Sequence, residues 1–295
     1  IDADGDGISK RVGFGHLMMY IIPAKPKRRI LNKNNQAAHN ASYFLNDYFL
    51  NAVINGEEDL NYLNTLKIHD KANKDFIIHE DWKNKVDFIG LNYYRRIHIY
   101  HSIIVALSSA KFVGGSFTND LNEKKRSTSD LYGTLNDLGW EIYPQGIYEI
   151  IMQLKNKYDK PILVTENGIA DRHDRYRAPF VVAHIQQIKK AIDNGANVIG
   201  YLHWSLVDNY EWQESYRPEA KFGLFRIDVD SKKNHGTDHR RHLKRQITRG
   251  AEALQVIIKE SVSQNKSGMI ADSAISKAIS DYGIFKDDGS SLTFC

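Results

Sequence analysis

Cysteine is almost absent from this chain. The one thiol is Cys295, the last residue, so no disulfide can form within the chain and the fold rests on packing. Such a count mildly favours a reducing, cytoplasmic setting, although the sequence does not fix the compartment. No apolar run approaches the roughly 18 residues that a spanning helix needs. Six prolines and 20 glycines leave no low-complexity linker. Charge of one sign is not in large excess either: 40 basic residues face 36 acidic ones, a net +4 that does not by itself predict nucleic-acid binding. What is present is a 33.8 kDa chain, 42% apolar, with material for one substantial core or two modest ones. Its first residue is Ile1 rather than Met, which reads as a processed chain or part of a longer product and says nothing about export.

Short apolar runs alternate with stretches of helical period, the pattern of βα units around a parallel sheet. Four such units are legible. Val12 to Ile22 is a run ended by Pro23, followed by a helical stripe of Ala41, Phe44, Leu45, Tyr48, Ala52 and Val53 that stops at Asn55-Gly56. Val86 to Leu91 is the second run, followed by a helix carrying Ile147, Ile150, Ile151 and Leu154 and closed by Pro161. Ile162 to Val164 leads to a helix with Val181, Ile185, Ile188 and Ile192 on one face and Gly195 as its C-terminal cap. Val198 to Leu202 leads through an aromatic, acidic loop to a last helix containing Leu254, Ile257 and Ile258. Residues 1–267 read as one domain, and 268–295 as an appended short helix and polar tail.

In βα architectures the reacting groups sit at the C-terminal ends of strands. Three runs end in chemically unusual strings: Asn92-Tyr93-Tyr94, Thr165-Glu166-Asn167-Gly168, and His203-Trp204-Ser205 followed by Asp208 to Trp212. Glu166 is a candidate nucleophile or base, against the plainer role of capping the next element. Tyr94 is a candidate hydrogen-bond donor to it, or a packing residue. Trp204, Trp212 and Phe222 beside Glu211 suit a sugar, whose CH face stacks on aromatics while its hydroxyls need charged acceptors; each ring alone is equally a core residue.

The strings 87–94 (DFIGLNYY), 139–144 (GWEIYP), 164–171 (VTENGIAD) and 200–212 (GYLHWSLVDNYEW) occur in the order and approximate spacing of glycoside hydrolase family 1. From about Val12 to Ile258 the chain resembles that family, and within it the archaeal β-glycosidases acting on β-glucosides and β-galactosides. The resemblance implies an α/β fold of the (β/α)8 TIM-barrel family. It implies a retaining mechanism with Glu166 as nucleophile, Tyr94 as its hydrogen-bond donor and Asn92 as a polar neighbour. It also implies Glu211 and Trp212 on the sugar hydroxyls, Trp204 as the platform below the ring and Phe222 as an aromatic wall. The expected ligand is a β-glycoside or oligosaccharide, with no metal, cofactor or nucleic acid.

Two departures stand out. The family's acid/base lies in an Asn-Glu-Pro motif on the fourth barrel strand, and no Asn-Glu-Pro occurs here; Asn122-Glu123-Lys124 is nearest and lies in the wrong order. With the four runs assigned to strands five to eight, strands one to four are missing, and a half barrel leaves unpaired edges. The missing half then belongs to a longer product or to another chain. Near the site, Glu219 and Ala220 look inserted and Ser215 replaces a usual glycine, which bears on Phe222. Rival outcomes are a catalytically silent sugar-binding or structural remnant, or a relative that transfers sugars to acceptors other than water. Asp2 to Gly7 only imitates the start of a calcium loop, because Gly13 stands where the bidentate glutamate belongs. His235, Asp238, His239 and His242 sit in a basic run that reads as a surface connection.

Overall fold

A computed structural model describes residues 11–24, 33–59, 76–100, 116–117, 133–212, 214–227, 245–264, 269–285 and 292–293. The calcium-loop imitation, the Asn122-Glu123-Lys124 string and the 235–242 histidines lie outside them. The chain divides into two compact units: Ile1–Asp130, Gly146–Thr165 and Ala191–Tyr201 form the first, and Leu131–Gln145, Glu166–Lys190 and Leu202–Cys295 the second.

The first unit is organised by a sheet with strand order β1 (Gly13–Pro23), β2 (Phe88–Tyr100), β3 (Ile162–Asn167) and β4 (Val198–His203), the last residues of β3 and β4 being counted in the second unit. These are the four runs read from the sequence. β1 and β2 pair in parallel, from Gly13 opposite Phe88 to Pro23 opposite Ile99, with a register shift between Met18 and Tyr20. At the shift, the Met19 N–H donates to Asn46 Oδ1 (3.1 Å) and Asn46 Nδ2 donates back to the Met19 carbonyl (2.9 Å). One buried amide thus satisfies the backbone groups that the ladder skips.

β2 is longer than its apolar run suggests. Asn92, Tyr93 and Tyr94 were expected to end the strand, yet it continues to Tyr100, because Ile97 and Ile99 keep the alternation of Ile89, Leu91 and Tyr93 on the buried face. Asn92 and Tyr94 share the opposite face. Helix α1 (Lys33–Ser42) contributes Ala37, Ala38 and Ala41 to a core with Ile97 and Ile99. The helical path continues to Asn55 through two π-helical segments, Tyr43–Asp47 and Asn51–Asn55. It stops at Gly56, which takes φ of 74° and donates its N–H to the Ala52 carbonyl. Helix α2 (Gln145–Tyr158) buries Ile147, Ile150, Ile151 and Leu154, the face expected of it. Among the described residues β1 and β4 are the outer strands of this order, and Leu17 on β1 and Ile199 on β4 are 46% and 45% exposed.

The second unit holds most of helix α3 (Arg177–Asp193), together with helices α4 (Arg249–Gln264) and α5 (Asp272–Tyr282). Val181, Ile185 and Ile188 are buried as expected, whereas Ile258 of α4 is exposed and Ala251, Ala253 and Ile257 carry its packing. The tail is less polar in its role than in its composition. Phe285 follows α5 and is buried in a core with Ile142, Ile169, Phe180 and Ala183.

Candidate active site

The second unit gathers five of the seven candidate residues. Glu166 and Asn167 close β3, so the carboxylate sits within the strand's last turn of chain rather than after it. The ends of β3 and β4 are clasped directly beyond: the Trp204 N–H donates to the Asn167 carbonyl (3.0 Å), and a β-carbon at Gly168 would overlap the Trp204 carbonyl oxygen. Only glycine admits that approach. The peptide between Trp204 and Ser205 is cis.

Trp204 reaches forward along its loop. Its indole Nε1–H donates to Glu211 Oε1 at 3.1 Å, and the loop returns on itself through a bridge between Glu211 and Ser215. Partial burial pushes the Glu211 carboxyl above its ordinary range; hydrogen bonds from Trp204 and Asn209 pull it back, and the charge of Glu166 adds to the rise. The indole donor and the part-buried Glu211 carboxyl, in a loop tied by the Trp204 N–H to the strand end that carries Glu166, are groups able to bind the hydroxyls of a polyhydroxylated ligand.

The rest of the set is arranged differently. Trp212 is 93% exposed, while Phe222 is 2% exposed and packs against Trp140, with ring centroids 6.0 Å apart. Phe222 is thus buried, with Trp140 tilted against it at 50°. Asp208 anchors the segment around it, accepting from the Gly223 N–H (2.9 Å) and the Ile227 N–H (3.2 Å). Two further residues join this set: Trp140 of the 139–144 string, which packs on Phe222, and Asn209, two residues before Glu211, which hydrogen-bonds its carboxyl. Asn92 and Tyr94 lie on β2 in the first unit; Asn92 Oδ1 accepts from the hydroxyl of Thr165 (2.6 Å), the residue preceding Glu166 in the chain. Among the described residues, no cluster of three or more His, Cys, Asp or Glu side chains could hold a metal ion.

The model of the glycosyl hydrolase family 1 matches residues 4–250. The chain belongs to this family. A β-galactosidase of Saccharolobus solfataricus is 38% identical over 157 residues, covering 53% of this chain and 30% of the relative. A β-galactosidase of Pyrococcus woesei is 32% identical over 217 residues, covering 71% of this chain and 39% of the relative. Among solved structures, a β-glycosidase from Pyrococcus horikoshii superposes with a TM-score of 0.63 at 27% identity, over 94% of this chain and 52% of that one. A family 1 β-glucosidase from Thermotoga maritima gives 0.62 at 26%, over 84% and 51%. The fold is accordingly of the α/β-barrel type, and this family 1 chain spans from about a third to a half of these relatives. Helix α5 and Phe285 lie beyond the matched residues. Among the described residues no helix is long and apolar enough to cross a membrane.

Proposed function

We propose that this chain carries the nucleophile half of a retaining β-glycosidase of the β-glucosidase or β-galactosidase type. The observation that carries the proposal is Trp204, whose backbone N–H is held by the Asn167 carbonyl next to Glu166 (3.0 Å) while its indole N–H donates to Glu211 Oε1 (3.1 Å). In the proposed reaction a Glu166 carboxylate oxygen attacks the anomeric carbon, the bond to the leaving oxygen breaks, and a glycosyl ester forms on Glu166. A second carboxylate, roughly 5 Å away in retaining enzymes, protonates the leaving oxygen and then takes a proton from the water that hydrolyses the ester. Tyr94 and Asn92 are assigned to the nucleophile's surroundings. Glu211 and Trp212 are assigned to the sugar hydroxyls, Trp204 to the ring face, and Phe222 to the aromatic wall.

The acid/base is not supplied by this sequence, which lacks Asn-Glu-Pro. We assign β1 to β4 to barrel strands five to eight. Apolar exposure of Leu17 and Ile199 on the outer strands, and coverage of 52% of the P. horikoshii structure, support this assignment. The barrel's first four βα units are then the partner that completes the pocket. The same missing glutamate favours one second reading: sugar binding without turnover.

A 2-deoxy-2-fluoro-β-glucosyl fluoride separates the two readings, because its leaving group needs no protonation. Intact mass should show one covalent sugar on the wild-type chain, mapped by peptide digestion to Glu166. Glu166→Gln should abolish it. A folded wild-type chain that gains no mass would end the enzymatic reading, and an adduct persisting in Glu166→Gln would show that another carboxylate is the nucleophile.

A further inference from the structure

Arg177 opens α3 and has no exposed surface at all (0%). A buried cation is tolerated only when it is paired and hydrogen-bonded, so its surroundings are a commitment of the fold. Nη1 donates to Asp174 Oδ1 at 3.0 Å. Nη2 donates to two main-chain carbonyls, those of Asp171 (2.9 Å) and Lys221 (2.6 Å). Asp171 in turn starts the helix, its Oδ2 accepting from the N–H groups of Tyr176 and Arg177. The second oxygen of Asp174 accepts from the Arg249 N–H (2.7 Å) at the start of α4, and a β-carbon at Gly250 would strike the Arg177 stem.

The two carbonyls belong to different segments. Asp171 lies within the loop that runs from Asn167, next to Glu166, to α3. Lys221 precedes Phe222, whose carbonyl accepts from the Ser205 N–H (3.3 Å), one residue beyond Trp204. Lys221 O also accepts from the Asp171 N–H at 2.9 Å, so the guanidinium reinforces a seam already joined by the backbone. A planar fork can serve a carboxylate and two carbonyls at once, whereas an ammonium presents its donors from a single point.

We propose that Arg177 is a positioning residue for the sugar pocket: it holds the loop after Glu166 in register with the Lys221–Phe222 segment, and through it keeps Trp204 beside Glu211. Its chemical consequence rests on the glycosidase reading above; its geometric content does not.

The test uses the full 295-residue chain with Arg177→Lys, Arg177→Met and, as a control, Lys277→Met, which removes an exposed pair with Asp281 in α5. Two readouts are taken on folded protein at 25 °C. The first is the indole N–H resonance of Trp204, assigned with Trp204→Phe. The second is the rate of adduct formation with 2-deoxy-2-fluoro-β-glucosyl fluoride, resolved into affinity and maximal rate. Both Arg177 variants should move the Trp204 resonance and slow labelling by about tenfold or more, since small misplacements cost at least that much. Lysine should rescue no better than methionine, and Lys277→Met should match wild type.

A folded Arg177→Lys with an unmoved Trp204 resonance and a labelling rate within about twofold of wild type overturns the proposal. Should both Arg177 variants fail to fold, Asp174→Asn, which keeps an acceptor but removes its charge, is expected to move both readouts the same way; wild-type values for both overturn the proposal. Should the wild-type chain itself not label, the glycosidase reading falls, and the Trp204 resonance alone decides for or against Arg177.

Discussion

Trp204 donates its indole N–H to Glu211 Oε1 at 3.1 Å, across seven residues of one loop. The bond fixes the ring plane and at the same time stabilises the charged form of a carboxyl that burial alone would push toward neutrality. Trp204→Phe keeps an aromatic face, smaller by the fused pyrrole ring, and removes the donor. The Glu211 pKa should therefore rise relative to wild type, measured by titration of the 13C carboxylate resonance, and a fall would show that the bond does not hold the anion. Binding of a neutral sugar should weaken by about 1.5–3 kcal/mol, the usual range for a hydrogen bond to a charged group.

Glu166→Gln should act on Glu211 with the opposite sign. The charge of Glu166 raises the Glu211 pKa, so removing it should lower that pKa in the same titration. An unchanged value would mean that the two carboxylates stand too far apart to share one sugar, whatever the labelling experiment gives.

Much of this site is local in sequence, which is why it is legible there. Glu166 stands two residues past the Ile162-Leu163-Val164 run and two before Gly168, and Trp204 and Glu211 share one loop. What the pattern conceals is long-range. The contact of Phe222 with Trp140, 82 positions earlier, is one such case. Asn92 and Tyr94 look like a strand end because charged residues follow them, yet buried Ile97 and Ile99 carry β2 onward. The π-helical segments between Tyr43 and Asn55 are invisible to a search at 3.6 residues per turn. Glu166 is legible from its motif and its place at a strand end; the hydrogen bond from Trp204 to Glu211 emerges only from the folded loop.

The C-terminal segment gives a further case. Phe285 and the adjacent Ile284 stand in a largely polar stretch, yet Phe285 is 1% exposed and meets Ile169, three residues past Glu166, as well as Phe180 and the Tyr176 ring (5.7 Å). Phe285→Ala should cost about 3–5 kcal/mol of unfolding free energy in urea, the usual loss for a buried phenylalanine. A loss under about 1 kcal/mol would show that the segment lies on the surface as an appendage.

His184 supplies the pH dependence. It is fully buried on α3, its Nδ1 is 2.8 Å from the Phe180 carbonyl, and its ring stacks on Phe180 at 3.8 Å. Burial lowers its pKa to about 3, the Phe180 carbonyl only partly opposing. His203 at the end of β4 is likewise lowered to about 3, by burial first and then by the charges of Arg177 and His184. Each histidine has a folded pKa below its unfolded one, so the unfolded chain binds the extra proton. The stability each contributes is complete above about pH 6.5 and is lost as pH falls toward 3, at a slope near 1.4 kcal/mol per pH unit for each ring. His184→Gln should flatten that slope by about one proton between pH 6 and 4, read from urea midpoints at a series of pH values. Arg177→Met, by removing a neighbouring positive charge, should raise the His203 pKa. An acid slope that is identical in wild type and His184→Gln would mean that this ring reaches solvent and is already protonated in the folded protein.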